Sequence, residues 1–401
     1  MVGLSDDSNV HNHLNTAIML LVSTLLVLTV LFLLEPSVPS QQEEKYTSIV
    51  NGLFNEVLHG VEDMRGLPAP EGTQLIIVPI QYFIDNAKKD VQKNQEEVNF
   101  KDIIYKSLFL IPQNYSVGEA QVAQANQILA VVDGTKLYIV KENFDPFNIR
   151  AAKRTLAHEI THLLQSQFMS PSLTTSDQRW AWVTLVEGDA DFTADSYIAK
   201  SGLFSYETNV IESLDKINSF PYTYGSGFIS VLYKEGGWNL INSAYKNPPR
   251  STEEILHPNV YLEGSAFKNV DSLSPNSSGW NIILTDTFGE YFIQVMLENG
   301  VTNNEALVAA TGWNGDNITL FNKDNTYLVT WSLTWNTTRD ASEFIETFGK
   351  MVSQMGGEKV EPGVYHLNRY YVTFSKNGAV TEIASSTDEE PILSIMHMMK
   401  P

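Results

Sequence analysis

The chain has 401 residues and a formal net charge of −21, from 26 Lys and Arg against 47 Asp and Glu. With 43% hydrophobic and 18% charged residues it has enough apolar material for a sizeable core, which argues against disorder, and its length suggests about two domains. The acidic balance excludes a general nucleic-acid binder, because neutralising phosphates requires basic patches. The absence of cysteine excludes a disulfide scaffold, thiolate metal sites and a cysteine nucleophile.

The first predicted element is a membrane anchor. Ala17–Leu34 is an apolar run without a charged residue, and about 20 helical residues cross a hydrocarbon core. The start of the chain is acidic and Glu35–Ser40 is a poor cleavage site, so the run does not resemble a signal peptide. We predict a tail at residues 1–13 and a single-pass anchor at 14–35 in the cell membrane. The flanking charges do not fix its orientation, and the acidic body favours an extracytoplasmic location for the rest.

Residues 36–72 form the next predicted unit, a polar tether at 36–46 followed by a helix at 47–63. The clearest signal after it is a hairpin at 127–140 that turns at Asp133-Gly134, a strong two-residue turn sequence. Other elements predicted up to residue 200 are a strand at 75–79, a helix at about 147–168 with Asp145 as N-cap and Pro146 at its first position, and a helix at about 180–199.

The remaining sequence predicts helices first and then a mixed unit. Residues 204–300 have a mostly helical pattern, broken by Gly236-Gly237 and Pro248-Pro249. After about residue 313 the pattern alternates, with a strand at 326–335, a helix near 340–355 and a hairpin at 364–383 that turns at Asn377-Gly378. We place the domain boundary between residues 300 and 301, so the predicted domains are 73–300 and 301–401.

The predicted helix at 147–168 contains the sequence His158-Glu159-Ile160-Thr161-His162. Residues four apart lie on one face of a helix, so the two histidines can bind one Zn²⁺, while Glu159 lies beside them to accept a proton from an activated water. With 8 His and 28 Glu in the chain, about 0.01 such motifs are expected by chance. This spacing predicts a catalytic zinc site.

A catalytic zinc site needs a third protein ligand. Gln165 and Ser166 follow the motif where a third histidine would otherwise stand, so the ligand should be a carboxylate from another helix. Glu187 lies in the next predicted helix, beside the small Gly188, which allows close helix packing. Asp191, one turn later, is placed to accept a hydrogen bond from the outer nitrogen of a zinc-binding histidine. A solvated acidic face is the alternative explanation for these carboxylates.

These motifs resemble the gluzincin group of zinc metallopeptidases, the thermolysin-like catalytic core. The resemblance covers residues 127–200, and it implies that His158, His162 and Glu187 bind zinc, that Glu159 is the catalytic base and that Asp191 supports the ligands. It also implies an edge strand near the Asp133-Gly134 hairpin that holds an extended substrate.

The same resemblance implies a tyrosine or histidine that stabilises the oxyanion of the tetrahedral intermediate. Tyr222 and Tyr224 lie in FPYTYGSGF, which reads as a glycine-punctuated loop, and His257 precedes a proline. We select Tyr224 and His257 as the catalytic candidates.

The expected fold class is α+β: a transmembrane helix, a zincin-like metallopeptidase domain and a small C-terminal α+β domain. The expected function is a membrane-anchored zinc endopeptidase that acts on peptides or proteins and does not bind nucleic acid. An aminopeptidase of the same fold and a surface-displayed zincin-fold scaffold without protease activity are the alternatives. The intact Glu159 argues against the scaffold, because a site that only binds metal does not need it.

Overall fold

The computed structural model describes residues 41–200, 213–264, 267–276 and 278–399. The predicted anchor at residues 14–35 lies outside these ranges. Within them, no helix combines the length and apolar character needed to cross a bilayer.

The amino-terminal part packs helices against a three-stranded sheet. In the strand order β1-β3-β2, β1 is parallel to β3 and β2 is antiparallel to it, so β2 is an edge strand. The β2–β3 turn is the predicted one, with Gly134 at a φ of 58°. The elements are α1 (Gln41–Arg65), β1 (Gln74–Val78), α2 (Gln81–Lys93), α3 (Gln95–Ser107), α4 (Val117–Gln124), β2 (Ala130–Asp133) and β3 (Lys136–Val140).

The middle of the chain is helical, and it carries both predicted ligand-bearing helices. The longest of its helices bends at Gly237, whose φ of 60° and ψ of −158° interrupt the helical backbone. The elements are α5 (Ile149–Gln165), α6 (Ser176–Lys200), α7 (Ser213–Ala244), α8 (Thr252–Leu256) and α9 (Pro258–Glu263).

The carboxy-terminal part is a seven-stranded antiparallel sheet with the order β4-β5-β6-β10-β9-β8-β7. The elements are β4 (Asn281–Asp286), α10 (Gly289–Leu297), α11 (Asn303–Ala310), β5 (Trp313–Lys323), β6 (Thr326–Trp335), α12 (Thr338–Gln354), β7 (Glu358–Glu361), β8 (Val364–Leu367), β9 (Tyr370–Asn377), β10 (Val380–Ser386) and α13 (Glu389–Met396). Together with the first sheet, this confirms the predicted α+β class.

Two apolar clusters hold the helices that form the site. The first joins α6, α7 and α10 to the large sheet, so the helical and sheet parts share one core; its members include Leu185, Phe228, Ile293, Trp313 and Trp331. The second lies between α1, the small sheet and α5; its members include Val57, Leu137, Ile139, Leu156 and Ile160. The apolar face of α5 is therefore fixed against α1 and the sheet, and its polar face meets α6.

Several predicted boundaries move. The α1 helix begins at Gln41, inside the predicted tether. The α5 helix begins at Ile149 with Asn148 as its N-cap, whose side chain accepts from the Ala151 N–H. Asp145, the predicted cap, instead accepts from the Phe147 N–H in a preceding turn.

Two further differences concern the chain after residue 200. The FPYTYGSGF segment is part of the α7 helix, where a loop was predicted. The large sheet also extends across the predicted domain boundary at residues 300 and 301, because β4 pairs with β5.

Candidate metal centre

Three predicted ligands meet between α5 and α6. His158 and His162 lie one turn apart on α5, and their Nε2 atoms are 3.1 Å from each other. The Glu187 Oε2 atom lies 3.2 Å from the first of these nitrogens and 3.5 Å from the second. One ligand atom from each of the three residues falls within 4.8 Å of the others, so this group can hold a metal ion.

The outer nitrogens of both histidines face hydrogen-bond acceptors. The His158 Nδ1 atom is 3.1 Å from Asp191 Oδ1, and the His162 Nδ1 atom is 2.7 Å from Gln165 Oε1. The amide orientation of Gln165 follows from its network, because its Nε2 donates to two acceptors, the Val186 carbonyl and the Asp189 carboxylate. Both Nδ1 atoms therefore carry the proton in the neutral histidines, and both Nε2 atoms direct lone pairs into the space that they share with Glu187.

Glu187 completes an environment that requires positive charge. Only 1% of it is exposed, and neither carboxylate oxygen receives a hydrogen bond of normal geometry. Burial acts against ionisation, but the two histidines, while they carry a positive charge, lower the pKa of Glu187 to about 2. Once both histidines are neutral, this buried carboxylate faces their two Nε2 lone pairs, an arrangement that is costly unless a cation lies between them. The residues present thus fit a bound metal ion.

Glu159 is buried beside the ligands on α5, where the motif predicts a catalytic base. Burial raises the pKa of Glu159, the positive charge of His162 and His158 lowers it, and Glu187 raises it further. A carboxyl group with a raised pKa in this position is suited to accept and return a proton.

Asp191 lies at the predicted supporting position and is fixed by an arginine. The Nη2 atom of Arg154 donates to Asp191 Oδ1 at 2.9 Å, and its Nε donates to Asp195 Oδ1 at 2.8 Å. Although burial acts against it, hydrogen bonding with His158 lowers the pKa of Asp191. Asp191 therefore holds one ligand histidine in its tautomer and orientation.

Tyr222 is the tyrosine that the structure brings to the ligands. Its ring is stacked on that of His158, with 6.5 Å between centroids. Desolvation and the nearby Glu187 carboxylate raise the pKa of Tyr222 well above its usual value, although 45% of the residue is exposed. The contact depends on two glycines, because a Cβ atom on Gly188 would lie only 2.4 Å from the Gly225 carbonyl carbon. Gly188 was predicted to allow close packing between its own helix and α5. Instead, it allows α7 to pack directly on α6.

The two other catalytic candidates have different contacts. The Tyr224 ring packs against Phe220 and Tyr291, at centroid distances of 5.1 and 5.4 Å. Two residues apart on a helix is about 200°, so Tyr222 and Tyr224 project to opposite sides. His257 Nε2 is 3.0 Å from Glu290 Oε1 at the start of α10. Neither Tyr224 nor His257 is among the side chains that contact the ligands in the part of the chain that the structure describes.

Sequence reasoning did not identify the buried network behind His162. Gln165 contacts Asp189, and the Asp189 Oδ1 atom accepts from Arg65 Nη1 at 2.8 Å. Arg65 ends α1, 124 residues before its partner, and no short motif links two such positions. The only signal in the sequence was that Gln165 lies one helical turn after His162, close to the motif.

Comparison with known proteins covers the sheet and not the metal centre. A family model described as a domain of unknown function (DUF8575) matches residues 282–392. This range runs from β4 into α13 and excludes all three metal-binding candidates. No curated protein and no solved structure matches the chain.

Proposed function

We propose that this chain is a membrane-anchored zinc metallopeptidase that hydrolyses peptide bonds, with Glu159 as the general base. The observation that carries the proposal is the convergence of His158, His162 and Glu187, whose ligand atoms lie within 4.8 Å of one another. Two imidazoles and one carboxylate form a ligand set found in catalytic zinc sites, with a position left for water or substrate. Zinc in such a site acts as a Lewis acid that polarises a carbonyl oxygen and makes water nucleophilic at neutral pH.

The side chains around the ligands supply the proton transfer. Water adds to the scissile carbonyl carbon as Glu159 accepts its proton, and Glu159 then delivers that proton to the departing amine nitrogen as the C–N bond breaks. The position of Glu159 supports both steps, because it follows His158 directly on α5 and is buried beside the candidate ligands. In place of the selected Tyr224 and His257, we propose Tyr222 as the donor to the oxyanion, because its ring stacks on His158 and its hydroxyl stays protonated.

The edge strand β2, next to the site, favours an extended peptide as the substrate. β2 is the edge of the three-stranded sheet and packs against α5, the helix that carries both histidines. An edge strand offers backbone N–H and C=O groups to which a peptide can add as a further strand. We propose that the substrate pairs with β2 and so presents its scissile bond to Glu159.

A Glu159→Gln variant of the full-length chain tests the chemistry. The amide is close to isosteric but cannot accept the proton, so turnover of a peptide library should fall about 10²–10⁴-fold while zinc content stays at the parental level. Glu382→Gln is the matched control, because Glu382 is a half-buried glutamate whose pKa is also raised by burial but which lies on β10, in the large sheet. Parental activity in Glu159→Gln would refute the mechanism, and a zinc-loaded parent without activity on any peptide would favour the scaffold alternative.

The membrane anchor needs a separate test. An apolar run of this length should keep the protein in the membrane fraction through high salt and carbonate, with release only by detergent. Protease added to intact cells should reach the catalytic part if it is extracytoplasmic. A mature N-terminus beyond residue 34 would indicate a cleaved signal and a secreted enzyme, whereas full protection would place the site in the cytoplasm.

A further inference from the structure

The two ligand histidines are supported by different chemistry. His158 Nδ1 faces the Asp191 carboxylate, which Arg154 also contacts. His162 Nδ1 faces the neutral amide oxygen of Gln165 at 2.7 Å, the shorter of the two contacts. A neutral acceptor can fix a tautomer only if its own orientation is fixed, because a glutamine rotated by half a turn would present N–H groups in place of its oxygen.

Two contacts fix the orientation of Gln165. Its Nε2 atom donates to the Val186 carbonyl at 2.9 Å and to Asp189 Oδ2 at 3.2 Å, and only 7% of the residue is exposed. With both amide hydrogens held by acceptors, the remaining oxygen must point at His162. Rotation of the amide would place N–H donors against the imidazole N–H and would turn the amide oxygen towards the Val186 carbonyl and the Asp189 carboxylate, two acceptors with which it cannot pair.

Asp189 is in turn held by the last residue of α1 and by the tyrosine that follows α7. The Arg65 guanidinium donates to Asp189 Oδ1 at 2.8 Å, and the Tyr245 hydroxyl donates to Asp189 Oδ2 at 2.7 Å. Neither side chain of the Arg65–Asp189 pair is exposed to solvent. Arg65 also donates to Asn242 Oδ1 and lies over the ring of Trp238 at 4.5 Å, so its position is set by the packing of three helices.

We propose that Gln165 is a positioning residue for metal binding, and that Asp189, held by Arg65, orients it. Gln165 keeps His162 as the Nδ1–H tautomer and so leaves Nε2 free to bind metal. This inference rests on the metal site of the proposed function but not on its peptidase activity. It gives α1 a role at the site, because Arg65, the final residue of that helix, holds Asp189 in the chain of contacts behind His162.

The first test is the affinity of the full-length chain for zinc alone, measured by competition with a chromophoric chelator. Gln165→Met keeps the length and apolar stem of the side chain but removes the acceptor, so zinc affinity should fall about 10–100-fold. Gln294→Met is the matched control, because Gln294 is also a buried glutamine but its side chain donates to Glu298 at the end of α10; it should bind like the parent.

The second test observes the histidine directly, and its first measurement needs only the parent protein. In zinc-loaded parent protein with ¹⁵N-labelled histidine, His162 should bind through Nε2 and carry its proton on Nδ1. In Gln165→Met, exchange of that proton with water should become faster while the corresponding proton of His158 is unchanged. A purely structural role for Gln165 would not separate the two histidines in this way.

The outcomes distinguish this inference from the proposed function. A parent chain that binds no zinc would refute the proposed function. A parent that binds zinc, with equal affinity in Gln165→Met, would overturn only the role of Gln165. Binding of His162 through Nδ1 in the parent would overturn it as well, even if Gln165→Met does not fold.

Discussion

Two buried carboxylates, one in each half of the molecule, show how differently a folded chain can treat the same group. Asp316, in the large sheet, accepts from the backbone N–H groups of Phe288 and Gly289 and from the indole N–H groups of Trp313 and Trp331. Glu187, between the helices, receives no hydrogen bond of normal geometry at either oxygen. The sheet therefore supplies Asp316 with permanent hydrogen-bond donors, whereas the helical site leaves Glu187 available to bind a ligand.

The difference indicates a structural role for the Asp316 carboxylate and suits the Glu187 carboxylate to binding. Burial raises the pKa of Asp316 to about 6, although four N–H donors act in the opposite direction. These donors satisfy the buried carboxyl group without a charged partner. Although burial acts against ionisation, the charged histidines that face Glu187 lower its pKa, and those histidines are the other two candidate metal ligands. Removing each acid should consequently damage a different property of the protein.

Glu290 is intermediate between these two acids. It is almost fully buried at the start of α10, and the His257 imidazole lies 3.0 and 3.1 Å from its two oxygens. Hydrogen bonding to Glu290 raises the pKa of His257, although burial acts in the opposite direction. The electrostatic part of this contact is therefore present only while His257 is protonated, and it depends on pH.

The largest effect is expected for Glu187→Gln. Loss of the carboxylate ligand should weaken zinc binding at least about 100-fold, because the affinity of a three-ligand site depends on every ligand. Chelator competition on the full-length chain measures it, and Asp316→Asn serves as the control that should bind zinc like the parent. Parental affinity in Glu187→Gln would remove Glu187 from the ligand set. Asp189 could not simply replace it, because that carboxylate is paired with Arg65.

The grouping of the candidate ligands was predictable from the sequence because helix geometry is local. Four-residue spacing placed His158 beside His162, and an apolar helix frame placed Glu187 and Asp191 on one face. The sequence did not separate Tyr222 from Tyr224 correctly in space, because FPYTYGSGF was interpreted as a loop, where two residues of separation mean little, whereas in the α7 helix they select opposite faces. Its glycines indicate close packing, since Gly225 meets Gly188.

Long-range pairing was not predictable. The contact between Arg65 and Asp189 joins α1 to α6 through a position that no periodicity marks. The pairing of β4 with β5 was not predicted either. Two helices separate these strands along the chain, and their sequence pattern continues that of the preceding segment. The start of α5 shifted because Asp145-Pro146 resembles a helix start, while Asn148 provides the cap.

The next largest effect is expected for Asp316→Asn, and it should fall on stability. An asparagine has one acceptor oxygen, so two of the four buried N–H donors would face an amide NH₂ group, at a cost of roughly 1–3 kcal/mol each. The thermal midpoint of the metal-free protein should therefore fall by several degrees at about pH 8. Asp324→Asn is the control, because Asp324 lies in the exposed β5–β6 turn at a φ of 49°, which asparagine also adopts. An unchanged midpoint in Asp316→Asn would show that its four donors find other partners.

The smallest effect should come from His257→Gln, and it concerns the pH dependence of stability. Because the folded-state pKa of His257 is raised, the stabilisation by its charge is fully present below the unfolded-state pKa of about 6.5 and is lost as pH rises through the folded-state value. The thermal midpoint of the parent should exceed that of His257→Gln by roughly 1–3 °C at about pH 6, and the difference should shrink towards about pH 9. Glu253 also faces this pair and titrates in the same range, since burial and Glu290 raise its pKa to about 7 while His257 lowers it. Loss of the imidazole removes that lowering, so the interaction between Glu253 and His257 is part of the same pH-dependent difference. A difference that stays constant with pH would mean that His257 stabilises the junction by packing alone, and Glu290 would then join Asp316 as an acid that does not depend on a titratable partner.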